Sequence, residues 1–279
     1  MAKKNKITFR IPNLFSPVPI LSILLAVASF LLGMLVLKIH YVERDVSKKF
    51  DDATAALTTK MAPQQQLPPI VSIDNIKDVF SNNEIIKFGD AKNKLLFVII
   101  ADPSCPYCQA ANGTNPELSK KMGDQFTIVS NGGTYISPVQ EMRKLTESGK
   151  ASLAYIYQNG HGAGEMAMKS LFCAYEQKKF WETNDKLNTD AGYNLINNDV
   201  KNDKTASTKM ADFLSNILDS SVLKKCMDDG KYDSYLASNQ KLASSLGANG
   251  TPGFFINANT FPGAVNWDNM KNAVDEALK

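Results

Sequence analysis

The amino-acid sequence predicts an α/β fold, a sheet interrupted by a helical insertion domain and preceded by one transmembrane helix and a stalk. Three observations predict it. Strand-like segments gather around the apolar, β-branched run Leu95-Leu96-Phe97-Val98-Ile99-Ile100, and β character returns only at Phe254-Phe255-Ile256. Between these, from residue 163 to residue 246, the pattern is almost wholly helical. Ahead of both, residues 17–37 are 21 residues without a charge, long enough to cross a bilayer as a helix.

In chain order, a basic arm comes first, over residues 1–16, with Lys3, Lys4, Lys6 and Arg10. The chain carries a net charge of +3, and its first ten residues alone carry +4, so the remainder stands at −1. That balance excludes a basic surface and, with it, nucleic acid as a partner. A basic arm before an apolar stretch keeps the N-terminus cytoplasmic and exports the rest of the chain. Ala26-Val27-Ala28 resembles a signal cleavage site, yet the apolar run continues for nine residues past it. An uncleaved anchor over 17–37 is therefore expected. Beyond it, Val42, Val46, Phe50, Ala53, Leu57 and Met61 recur at helical spacing, which predicts an amphipathic stalk. The linker Pro63-Gln64-Gln65-Gln66-Leu67-Pro68-Pro69 ends this stalk segment, 38–70. The seam holds fewer than three heptads and leaves the oligomeric state open.

The folded region divides into 71–162, the helical insertion 163–246, and 247–279. The pattern predicts a short helix at 76–80, a strand at 95–100 and a helix opening in the cysteine motif. Asn112-Gly113 ends that helix, and helical character resumes at 117–122. Strands are expected at 126–129 and 151–157, with a helix at 139–146 between them. Helices are expected at 166–175, 178–187, 208–218, 221–227 and 232–246, then a strand at 254–256 and an amphipathic helix at 268–278. Phe180 and Trp181 read as core of the helical lid.

The chemistry sits in Cys105-Pro106-Tyr107-Cys108, where a strand gives way to a helix. Free N–H groups and the positive dipole end of that helix stabilise a thiolate on Cys105. Cys108 lies one turn deeper, in reach of the first sulfur. A zinc site would need a second ligand pair. Cys173 and Cys226 are isolated from each other in sequence, and His40 and His161 are the only histidines, so no metal is expected. The second element is Gly250-Thr251-Pro252-Gly253-Phe254-Phe255-Ile256-Asn257. A proline heading a strand fits because it cannot donate to the ladder. A cis bond before Pro252 would also turn the preceding backbone towards the active-site helix, its polar groups left for a substrate peptide. An ordinary β-turn proline is the alternative that composition leaves open.

Three blocks carry a resemblance to the DsbA-like thiol–disulfide oxidoreductases of the thioredoxin superfamily, which bear a helical insertion. They are Ala101-Asp102-Pro103-Ser104-Cys105-Pro106-Tyr107-Cys108, Phe172-Cys173-Ala174-Tyr175-Glu176-Gln177-Lys178-Lys179-Phe180-Trp181, and Cys226-Met227-Asp228-Asp229-Gly230-Lys231-Tyr232 leading on to Thr251-Pro252. The resemblance covers roughly residues 85–279. It implies a thioredoxin-like fold in which Cys105 is the exposed, attacking cysteine and Cys108 the buried, resolving one. It further implies that Pro252 is a cis proline facing the pair, with Pro106, Tyr107 and Thr251 lining the substrate groove. Neither a metal nor an organic cofactor is needed. Cys173 and Cys226 belong to family-like blocks in an exported, oxidising setting, where a structural disulfide between them is expected.

The departures from the family pattern bear on function. Tyr107 stands where strongly oxidising DsbA proteins carry a histidine, which implies a less oxidising pair. Ile99 occupies the place of the buried acid that thioredoxin carries, so proton transfer to Cys108 falls to water or another group. The stretch 132–150 is longer than the usual connection. The resemblance implies a membrane-tethered oxidase that introduces disulfides into exported proteins, with a membrane redox partner to recycle the pair. Its catalytic domain would be extracytoplasmic, periplasmic or at the cell surface. The alternatives are a DsbG-like isomerase or reductase and, from a different class, a non-catalytic peptide-binding chaperone module.

Overall fold

A computed structural model describes residues 17–60 and 71–279. The basic arm and the linker at 63–69 fall outside those residues. The chain forms two compact units, Met1–Leu67 and Pro68–Lys279. In the first, α1 (Pro17–Lys60) is one 44-residue helix, running without a break from the apolar stretch into the charged stalk. Its segment Ser22–Phe50 holds an 18-residue window with a mean hydropathy of 2.4, long and apolar enough to cross a membrane. Leu24, Leu31 and Leu35 are all exposed on it. On the stalk, Lys49 pairs with Asp45 at 2.9 Å, one helical turn apart.

The second unit is built on a five-stranded mixed sheet in the order β1-β3-β2-β4-β5. Its strands are β1 (Ile86–Phe88), β2 (Leu95–Ala101), β3 (Ala151–Tyr157), β4 (Gly253–Ile256) and β5 (Asn259–Pro262). β2 and β3 run parallel with Ile99 opposite Tyr155, and every other neighbour is antiparallel. The two central strands are buried along their whole length. That burial is why they read as continuous apolar runs and not as alternating ones.

Alternate residues feed two cores. Leu96, Val98, Ile100, Ala154, Ile156 and Phe255 face one side. There they pack with α2 (Ile73–Val79) and with Ala243 and Leu246 at the end of α11 (Lys231–Ser245). Ser72 caps α2 reciprocally with Asn75. Phe97, Ile99, Ala101, Leu153, Tyr155, Tyr157 and Phe254 face the other side, whose core extends into the helical region. That face is covered by α3 (Pro106–Asn112), α5 (Pro138–Glu147) and α12 (Lys271–Leu278), with α4 (Pro116–Lys121) packed beside α3. The insertion adds α6 (Glu165–Glu176), α7 (Phe180–Leu187), α8 (Asp190–Asn194), α9 (Ser207–Phe213) and α10 (Ser220–Asp228). Its last helix, α11, returns to the sheet, where Asn239 accepts from Tyr157 N–H at 3.0 Å and donates to Glu84 O at 2.6 Å.

Three expectations need correction. No strand forms at 126–129: Asp124–Phe126 and Val129–Asn131 are single 3-10 turns. The segment closes on itself through Tyr135, which donates to Thr127 O at 3.0 Å and accepts from Val129 N–H at 3.2 Å, and it never reaches the sheet. The helix expected from 178 starts at Phe180, because Lys178 turns the chain at φ 60°. The helix expected at 208–218 ends at Phe213. Phe180 and Trp181 are both buried against Phe88 from the edge of the sheet, Trp181 stacked on its ring and Phe180 tilted to it.

Candidate active site

β2 delivers the chain to Asp102, and two backbone bonds shape the turn into α3. Cys105 N–H donates to Asp102 O at 3.0 Å, and Gln109 N–H to Cys105 O at 3.1 Å. Cys105 is the N-cap and Pro106 opens the helix, where its missing N–H costs nothing. Gly113, at φ 78°, ends it in the left-handed conformation. Across from this turn, Thr251–Pro252 is a cis peptide bond. Cys105 Sγ donates to Thr251 O at 3.4 Å, and Asp102 N–H points at Cys108 Sγ at 3.5 Å. Both cysteines are free thiols.

The pair is electrostatically unequal. The Cys108 thiol, donating to the Cys105 sulfur, is the largest influence on Cys105 and draws its pKa down to about 6. Burial opposes this, while Thr251 and the N–H groups of Cys108 and Tyr107 add to the lowering. The Thr251 hydroxyl is buried without another partner and so is available to the sulfur. Cys108 is pushed well above 9, first by burial and then by its hydrogen bond to Cys105 and the charge there. The arrangement holds one ready thiolate and one thiol kept protonated beneath it, which suits exchange with an incoming sulfur.

The expected exposure of Cys105 is not what the structure has. Cys105 is 5% exposed, tucked against Thr251, while Tyr107, between the two cysteines, is 49% exposed. Tyr107 packs edge-on against Phe126, and Phe126 against Tyr135, with ring centroids 5.7 and 5.8 Å apart. The 124–136 segment thus supplies an aromatic ledge next to the pair. It is anchored by Ser137 Oγ donating to Ala111 O at 2.5 Å and Asn266 Nδ2 to Thr134 O at 2.9 Å. Cys173 on α6 and Cys226 on α10 are joined in a disulfide away from the site, with Cα atoms 6.2 Å apart.

Asp102 stands in the first family-like block, yet the sequence alone assigned it no role. Its carboxylate is fully buried and takes four hydrogen bonds. Ser104 N–H and Oγ–H donate to Oδ1 at 2.8 and 2.7 Å, and the Gly160 and His161 N–H groups to Oδ2 at 2.9 and 2.8 Å. A buried carboxylate so supplied stays satisfied without a cation. It bolts the cysteine turn to the segment entering the insertion. Gly160 there lies so close to Thr251 that a Cβ would meet Oγ1 at 2.1 Å. An Asp three residues before the first cysteine was the available signal. Its partners, some 58 residues on, were not legible. Also unforeseen is a run of buried amides. Gln109 Nε2 donates to Leu187 O at 3.3 Å and Asn184 Nδ2 to Asn112 Oδ1 at 2.7 Å, fastening α3 to α7.

Comparison with known proteins agrees with this geometry. The family model described as thioredoxin matches residues 137–276, half of the chain, beginning beyond the cysteine pair. No curated protein sequence matches. Among solved structures, Bacillus subtilis BdbD in its oxidised form is similar at 14% identity, covering 70% of this chain and 93% of its own, with a TM-score of 0.50. The catalytic domain of Proteus mirabilis ScsC is similar at 19% identity, covering 75% and 99%, with a TM-score of 0.51. Wolbachia pipientis α-DsbA1 is similar at 18% identity, covering 71% and 92%, with a TM-score of 0.52. At these identities the likeness speaks for the fold. With a cis proline facing a Cys-x-x-Cys at a strand-to-helix turn, and a helical insertion between β3 and β4, the chain belongs to the thioredoxin family.

Proposed function

We propose that this protein is a membrane-tethered, extracytoplasmic thiol–disulfide oxidoreductase that introduces disulfides into exported proteins. The observation that carries the reading is the inequality of the pair, Cys105 drawn down to about 6 and Cys108 pushed well above 9, opposite a cis Thr251–Pro252. In the oxidised enzyme a substrate thiolate attacks Cys105 Sγ. The Cys105–Cys108 bond breaks, and Cys108 leaves and takes up a proton. A second substrate thiolate then attacks the substrate sulfur of the mixed disulfide and releases Cys105 as a thiolate. The substrate loses two electrons and the pair gains them. A low pKa makes Cys105 a good leaving group in that last step.

Pro106, Tyr107, Thr251 and Pro252 line the groove in this reading, and the disulfide between Cys173 and Cys226 braces the insertion. The anchor at residues 17–37 holds the enzyme at the membrane, beside a membrane partner that reoxidises the pair. A second reading, reductase or isomerase, is favoured by one observation. With Tyr107 between the cysteines, Cys105 at about 6 lies nearer to thioredoxin's nucleophile, about 7, than to DsbA's, about 3.5.

The test is oxidation of a reduced, unfolded substrate protein by the full chain and by Cys105→Ser. The variant should lose exchange entirely. Full biological effect from Cys105→Ser would replace the enzyme reading with a peptide-binding chaperone.

A further inference from the structure

Cys108 poses a problem that the exchanging pair does not solve by itself. Its sulfur must carry negative charge whenever the Cys105–Cys108 bond forms or breaks, yet it lies in an interior where burial opposes that charge. Besides its partner cysteine, the sulfur is offered the distant Asp102 N–H, at 3.5 Å, and the Thr251 hydroxyl, and burial outweighs both. Apolar Ile99 on β2 faces the same side.

Directly across the β2–β3 register from Ile99 is Tyr155. Tyr155 and Cys108 line one small cavity, of about 10 Å³, together with Ile99, Asn112, Asn188 and Pro252. Its size is about that of one water molecule. Two polar atoms on its lining residues have no protein partner among the described residues. Tyr155 Oη makes no hydrogen bond, and Asn188 uses only Nδ2, donating to Asn184 O and Oδ1 at 2.8 and 3.2 Å. Asn112, by contrast, is engaged at both ends of its amide, with Thr114 and Asn184.

We propose that Tyr155 is a catalytic residue of this site, its hydroxyl donating to the Cys108 sulfur as the thiolate forms or departs. Burial and the charge of Cys108 both push the Tyr155 hydroxyl well above its ordinary range, so it stays a donor at every working pH. The step balances in either direction. When Cys108 attacks a mixed disulfide on Cys105, it loses one proton, the Cys105–Cys108 bond forms, and the released sulfur takes up one proton. No tyrosinate is formed. The inference rests on the reading of Cys105 and Cys108 as an exchanging pair.

The test uses dithiobis-nitrobenzoate on the reduced full chain, where coloured thiolate is released in two phases. The first is attack by Cys105 on the reagent, and the second is expulsion of the bound nitrobenzoate thiol by Cys108. Tyr155→Phe keeps the ring and removes only the hydroxyl. A charge-assisted hydrogen bond predicts a second phase slower by about tenfold or more, with the first phase unchanged. An unchanged second phase overturns the proposal. Should Tyr155→Phe not fold, fluorotyrosine at position 155 serves instead. A stronger donor there should speed the second phase, and no change overturns the proposal. A wild-type protein with no second phase at all would sink the exchange reading itself, which separates the two failures.

Discussion

Removing the Cys108 thiol is the most informative single perturbation of the pair. In the reduced protein Cys105 is drawn from an ordinary 9 to about 6, and the leading cause is the hydrogen bond from Cys108. A hydrogen bond to a charged group contributes about 1.5–3 kcal/mol. At about 1.4 kcal/mol per pKa unit, Cys108→Ala should raise the Cys105 midpoint by roughly one to two units, to about 7–8. The assay is the rate of iodoacetamide alkylation against pH. It reads Cys105 alone in the variant, because Cys173 and Cys226 are already joined. A midpoint that stays near 6, or falls, would show that the helix end and Thr251 hold the thiolate without Cys108, contrary to the account. The same pKa has a consequence for stability. Cys105 is depressed in the fold, so its contribution is complete above about pH 9 and is lost as pH falls through about 6. Across that window the reduced protein should gain up to about 4 kcal/mol that the oxidised protein lacks. Cys108, raised well above 9, opposes this only in alkali.

Three further outcomes are expected of the site and its supports. Replacing both Cys173 and Cys226 by Ala reopens a 53-residue separation, and the denaturant midpoint should report a loss of about 4 kcal/mol. A loss below about 1 kcal/mol would mean that the insertion does not depend on the crosslink. Asp102→Ala strands the N–H groups of Ser104, Gly160 and His161, and urea unfolding should show a loss of at least about 3 kcal/mol. Near-neutral behaviour would place water in the carboxylate's position. Gly160→Ala drives a methyl against Thr251, and stopped-flow exchange should slow roughly ten- to hundredfold. An unchanged rate would mean that Thr251 tolerates displacement.

The sequence made legible what is local. The run into Cys105-Pro106-Tyr107-Cys108 signals strand, turn and helix within fourteen residues, and each is set by nearest-neighbour chemistry. Pro252 was readable because a proline heading a strand has few reasons to be there. Elements that depend on distant partners were not readable. Ile86-Lys87-Phe88 is a strand only because β3 pairs with it from the far side of α5. Asn259–Pro262 is one only because β4 precedes it. Conversely, residues 126–129 have strand-like composition, but the 3-10 turns around them spend Phe126 on the Tyr107–Tyr135 ledge. The site was half visible for the same reason. The sulfurs and Asp102 lie in one block, whereas Gly160 reaches Asp102 and Tyr155 reaches the cavity beside Cys108 only once β2 and β3 lie side by side.

The reduction potential of the Cys105–Cys108 pair tests the central claim most directly, measured by equilibration of the full chain against a graded glutathione buffer. A nucleophile at about 6 lies between those of thioredoxin and DsbA. The expected potential is therefore clearly less negative than thioredoxin's, about −270 mV, and more negative than DsbA's, about −120 mV. A value at or below about −270 mV would contradict the oxidase and leave a reductase in its place.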